Sequence, residues 1–142
     1  MKKLVAEDEN LKLEVDQNVI YGTYKTEAIN IEIAMKSVRL RLKSFPCHNQ
    51  KVVIDARNVK KVSKEARDYL ASEAGYARVA AAAMVVEHSI AAQIVNFWLK
   101  ISKPVVPSKM FARESYAVDW IRSIECLSEG DSISEYSKEF FV

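Results

Sequence analysis

The residues best equipped for chemistry fall in two short runs. The first holds Asp55, Arg57, Asn58, Lys60, Lys61, Ser63, Lys64 and Arg67, so five cations lie within eleven residues. The second is Glu87-His88-Ser89. Guanidinium and ammonium groups give charge-assisted hydrogen bonds to phosphate or carboxylate. A serine that opens a helix adds the free amides of the first turn. Together these residue types are suited to holding an anionic ligand, an acidic partner surface or a phosphorylated group. The same pattern also describes a solvated loop, with Ser63 serving as an N-cap and Asp55 bonded to the amides just beyond it. Glu87-His88-Ser89 could polarise a bound group, or could satisfy the backbone donors that begin a helix.

Other reactive types are sparse. Cys47 and His48 are neighbours in sequence, but a nucleophile and its base must meet through space, and adjacency does not arrange that. With only three glycines there is no phosphate-cradling loop, and the two cysteines, Cys47 and Cys126, have no metal-ligand spacing. No cofactor and no metal are expected. The net charge of +2 gives no general pull toward nucleic acid or anionic lipid. Lys36, Arg39, Arg41 and Lys43 lack the interleaved aromatics of a single-strand reader, and read as a solvated helix face that complements the helix dipole. No nucleic-acid partner is expected.

These residues need a scaffold, and 142 residues with 49% hydrophobic side chains are enough for one domain with its own core. Residues 1–10 are mostly charged and read as a loosely attached N-terminus. Leu11, Leu13 and Val15 alternate with Lys12, Glu14 and Asp16, as in a half-buried strand. Asp16-Gln17-Asn18 turns the chain into a second strand, Val19 to Tyr24, where Gly22 marks a bulge or a close backbone approach. Thr26 reads as the N-cap of a first helix whose apolar stripe is Ala28, Ile31, Met35, Val38, Leu42 and Phe45. Lys51 to Leu70 then carries a strand ending at Asp55, a polar crossing, and a helix capped by Ser63, with Gly75 as its C-terminal stop.

Val79 to Val86 is apolar on both faces, too short for a helix of its own, and reads as a buried parallel strand. A very apolar helix follows through Ile101, then a proline-stiffened connector, a short edge strand Ser108 to Phe111, and a helix Glu114 to Ile124. The run Val79 to Ile101 is not a membrane span, because Glu87, His88, Ser89, Gln93 and Asn96 interrupt it. Residues 125–142 form an appendage with Ser132 and Glu135 at capping-box spacing. Its Phe140-Phe141-Val142 end is expected to favour self-association, a homodimer among the outcomes. Thiols without pairing or signal sequence suggest a cytoplasmic location.

Three segments, in this order, resemble the STAS-like domains. They are Gly22 with Thr26-Glu27; Val52-Val53-Ile54-Asp55 with Asn58-Val59 and Val62-Ser63; and Phe111 with Ala117, Trp120 and Ile121. The resemblance spans about residues 11–124, and is nearest the SpoIIAA-like branch, related in shape to CRAL-TRIO lipid-transfer domains. It implies an α/β fold: a mixed five-stranded sheet with four helices, ordered β-β-α-β-α-β-α-β-α. Anti-sigma-factor antagonists of this fold place an aspartate and then a phosphorylatable serine at the mouth of the second helix. Those positions fall on Ser63 and Lys64, so the family's phosphorylation switch is not preserved in its usual form. The CRAL-TRIO likeness suggests a second reading for Gln93, Asn96 and Phe97, as the lining of a lipid-like cavity under the Ile90–Ile101 helix.

The expectation that emerges is a non-enzymatic regulatory or protein-interaction module. It would recognise an acidic or phosphorylated partner, or an anionic ligand, at the rim formed by Asp55 to Arg67 and Glu87 to Ser89. The alternative is a carrier or sensor of a small apolar or anionic molecule, and the third reading is a hydrolase built around His88.

Overall fold

The first turn of the chain illustrates how local chemistry sets the sheet. In the computed structural model, which describes residues 1–87 and 106–124, Gln17 and Asn18 take left-handed φ values of 49° and 65°. They form a two-residue loop between Asp16 and Val19, which pair directly. Two consecutive left-handed residues match the twist of the flanking strands, so the hairpin is tight. It joins β2 (Leu11–Asp16) to β3 (Val19–Tyr24) in unbroken antiparallel register. Gly22 is therefore a close approach and not a bulge: a Cβ there would lie 3.0 Å from Ile54 Cδ1.

The N-terminus differs from the loosely attached segment expected. Lys3–Glu7 is an edge strand, β1, antiparallel to β2 with an irregularity between Leu4 and Ala6. Asp8 closes the turn by accepting from the backbone N–H groups of Asn10 and Leu11, both at 2.8 Å. Four of the five β1 side chains are exposed, so the strand has no apolar face to show as alternation. Main-chain pairing, not burial, holds it.

The short strand β4 (Ala28–Ile29) precedes α1 (Ile31–Ser44). Asn30 caps this helix, its Oδ1 accepting from Ile33 N–H at 2.9 Å; Thr26 does not. Residues 27–29 are drawn into extended backbone by the next crossing, whose Lys60 and Ser63 N–H groups donate to the Glu27 and Ile29 carbonyls. That crossing contains β6 (Lys61–Val62), parallel to β4 in a separate two-stranded sheet. It lies between β5 (Gln50–Asp55) and α2 (Lys64–Ala71), which Ser63 caps as expected. The chain continues through β7 (Val79–Val85), β8 (Ser108–Phe111) and α3 (Glu114–Ser123).

The main sheet has six strands in the order β1-β2-β3-β5-β7-β8. The first pairings are antiparallel and those from β3 onward parallel. This replaces the five-stranded expectation, by the addition of β1. Three helices lie among the described residues. The helix expected through Ile101 and the appendage 125–142 lie outside them. No helix among the described residues is long and apolar enough to cross a membrane.

Helices cover both faces. α1 and α2 pack over a cluster containing Leu11, Leu13, Ile20, Val52, Ala66 and Val79. α3 packs on the other face over Val19, Tyr21, Val53, Ala81, Ala83 and Val85. The alternation along β5 and β7 divides their residues between the two cores.

Candidate functional site

The run from Asp55 to Arg67 leaves the carboxyl end of β5, where loops of parallel sheets gather, but the structure divides its residues into two patches. Asp55 shares the side of Val53, facing α3. It is held by its own loop: Arg57 Nε donates to Oδ1 at 3.0 Å, Arg57 Nη2 to Oδ2 at 2.7 Å, and the Arg57 backbone N–H to Oδ1 at 3.1 Å. Burial raises the Asp55 pKa, but the hydrogen bonds and charge of Arg57, with Lys2 assisting, outweigh it and hold the carboxyl below its ordinary value. Arg57 is raised chiefly by the bond to Asp55, with Glu114 and Glu87 adding to it. Lys2 meets Glu114 at 2.5 Å and lies 4.5 Å from the centre of the Tyr21 ring. Cations and carboxylates balance here.

The second patch borders α2. Lys60, Lys61 and Lys64 are exposed. Lys60 stands 3.4 Å from Glu27, and both side chains are about three-quarters in solvent, so the pair is weak. The Ser63 hydroxyl accepts from Ala66 N–H at 3.1 Å, which is the capping role. Asn58 is exposed in the loop, and Arg67 lies one turn inside α2, half-buried. Glu87 is exposed after β7 on the Asp55 side; His88, Ser89, Gln93, Asn96 and Phe97 lie outside the described residues.

The largest departure from expectation is Arg41. Grouped by sequence with a solvated cation face, it is buried, at 6% exposure. The inward side of α1 is Ala34, Ser37, Val38 and Arg41, while Met35 of the expected stripe is exposed. Arg41 Nη1 donates to Gln50 Oε1 at 2.7 Å and to the Ala77 carbonyl at 2.9 Å, and Nη2 to the Gly75 carbonyl at 3.1 Å. Gln50, itself buried, donates to the Phe45 and Cys47 carbonyls, both at 2.9 Å. The guanidinium thus ties α1 to the turn after α2 and to the start of β5. Burial lowers its pKa, opposed by Tyr24; an arginine keeps its proton regardless.

Beside Arg41 lies a cavity of about 150 Å³ between the sheet and the two helices. Its walls are largely aliphatic, including Leu11, Leu13, Val52, Ile54 and Val59, with Arg41 and Arg67 as the charged groups that line it. Tyr24 and Ser37 share a hydrogen bond of 2.9 Å at its wall. Burial raises the Tyr24 hydroxyl and pushes Tyr76 up to about 12, so both phenols stay neutral at ordinary pH. Sequence reasoning expected a cavity between the sheet and the Ile90–Ile101 helix, which lies outside the described residues, and did not foresee this one. The signal for this one was the spacing Ala34, Val38, Arg41, Phe45, three and four apart; a charged residue in an apolar stripe concealed it.

Residues 13–125 match the family described as Domain of unknown function (DUF7793). No curated protein matches the chain. Among solved structures it is similar to an uncharacterised protein of the DUF3478 family with a SpoIIAA-like fold, from Shewanella loihica. The two are 16% identical over 85% of this chain and 95% of that one, with a TM-score of 0.52. The likeness is one of fold, and agrees with the SpoIIAA-like architecture that the three sequence segments imply.

Proposed function

The chain belongs to the DUF7793 family and has a SpoIIAA-like fold; from that premise we propose that it is a non-enzymatic, cytoplasmic interaction module of STAS-like type. Its recognition surface is the patch of Lys60, Lys61 and Lys64 at the mouth of α2, and its partner carries an acidic or phosphorylated surface. The observation that carries this reading is the contrast between the patches. Asp55 and Arg57 are engaged with one another, whereas Lys61 and Lys64 are exposed and make no ion pair among the described residues. Such cations attract an acidic partner and speed its approach. Capture of a specific partner by the intact protein should weaken with salt and disappear in the triple variant Lys60→Glu, Lys61→Glu, Lys64→Glu. Undiminished capture by a folded triple variant would remove the patch from consideration.

A second reading, a carrier or sensor of a small molecule, is favoured by the cavity beside Arg41. A largely apolar pocket with a few convergent polar groups is the usual form of a small-molecule site. Native mass spectrometry tests it: mass that is lost on denaturation supports a carrier and gives the ligand's size.

A further inference from the structure

Arg41 stands in the cavity wall with no acidic neighbour among the described residues. The charged groups lining the cavity are two arginines, and no carboxylate lines it among the described residues. Each described partner of Arg41 is a neutral oxygen, from Gln50, Ala77 or Gly75. No ion pair brings an acid within 4.0 Å of it among the described residues. Burying a cation without a counter-charge is costly, and hydrogen bonds to neutral oxygens offset only part of that cost. Three of the five guanidinium N–H groups are engaged by these bonds, which fix its position. The other two have no acceptor among the described residues.

On the carrier reading, we propose that the cavity binds a compact monocarboxylate, its hydrocarbon or aromatic body against Leu13, Val52 and Ile54 and its carboxylate held by Arg41. Size sets the body. An apolar void of about 150 Å³ admits benzene, so the ligand has a ring or a short chain, not a long acyl tail. Charge sets the head, because a carboxylate supplies the counter-charge that Arg41 lacks among the described residues. The neutral phenols Tyr24 and Tyr76 at the wall add no competing negative charge.

The test uses the full chain and matched pairs of probes: benzoate against nitrobenzene, which has nearly the same shape without net charge, and hexanoate against 1-hexanol. Titration calorimetry should show each carboxylate binding about tenfold or more tighter than its neutral partner, the usual advantage of a charge-assisted bond. Arg41→Gln should abolish the difference and leave the weak neutral binding in place. Filling the void by Ala82→Leu should abolish binding of all four. Equal binding of charged and neutral probes to the natural protein would overturn the anion assignment while leaving the carrier reading intact. Binding of none would overturn both. Carboxylate binding that survives Ala82→Leu would place it elsewhere and overturn the site. Where Arg41→Gln does not fold, the probe ratio on the natural protein and the Ala82→Leu result decide.

Discussion

The two faces of the main sheet are covered on opposite principles. Beneath α3, Ala81, Ala83, Ala117 and Ile121 are all fully buried, so small side chains let helix and strand approach closely. Beneath α1 and α2, larger aliphatic side chains surround a cavity, and a hydrogen-bonded arginine sits in the wall. Both faces bury apolar surface, which is what a sheet needs for stability. The second also has a cavity with an arginine in its wall, features that suit a small-molecule site. A close-packed face specifies structure, whereas a face with a cavity and a buried arginine that has no acidic partner among the described residues departs from that rule, as binding sites commonly do.

Removing the centre of the close-packed face should be the most damaging change. Ile121→Ala is expected to cost about 3–4 kcal/mol, because the surroundings cannot collapse fully into the space; chemical denaturation measures it. A smaller but sharp loss, about 2–3 kcal/mol, is expected for Gly75→Ala on the cavity side. A Cβ there would stand 2.5 Å from the carbonyl oxygens of Tyr69 and Leu70, and the turn that presents the Gly75 carbonyl to Arg41 would have to shift. If Gly75→Ala proved neutral, that turn would be more compliant than its geometry indicates.

Adjacent alanines of β7 give the most direct comparison. Ala83→Val points into the packed face and should cost about 1–3 kcal/mol through overpacking. Ala82→Val adds the same methyl groups to the cavity wall and should change stability by less than about 0.5 kcal/mol, since burial gains and crowding offset. Equal costs, measured in parallel melts, would contradict the difference between the faces.

The acid limb is a finer test. The Asp55 pKa is depressed in the folded state. Its contribution is therefore present above the unfolded value near 3.8 and is lost as pH falls through the folded value. Asp55→Asn should lose less stability than the natural protein between neutral pH and pH 3, shown by denaturant midpoints at each. The smallest effect is expected at the hairpin: Gln17→Asn places a residue tolerant of left-handed backbone at φ 49°, and should raise stability by a few tenths of a kcal/mol.

Much of the fold was legible because its signals were local. The alternation from Leu11 to Val15, the turn at Asp16-Gln17-Asn18, the serine cap at Ser63 and the unbroken apolar run of β7 each declare themselves within a few residues. β1 did not, since an exposed strand held by main-chain pairing has no side-chain pattern. The beginning of α1 was misplaced because Thr26 and Asn30 are both good caps, and the choice fell to carbonyl contacts with residues more than thirty positions further along.

The candidate site was legible only in part. Cations around α2 were visible in sequence, yet their division into a balanced patch and an open one depended on which side of the sheet each residue left. Arg41 was the sharpest case. By itself the sequence determined an α/β chain of SpoIIAA-like order with a basic segment at the entrance to its second helix, because period, cap and turn chemistry are short-range. Only the tertiary structure decided that Arg41 points inward and that a void lies beside it. A charged side chain can be buried when distant oxygens converge on it, and Gln50, Gly75 and Ala77 are brought to α1 only by the folding of the whole sheet.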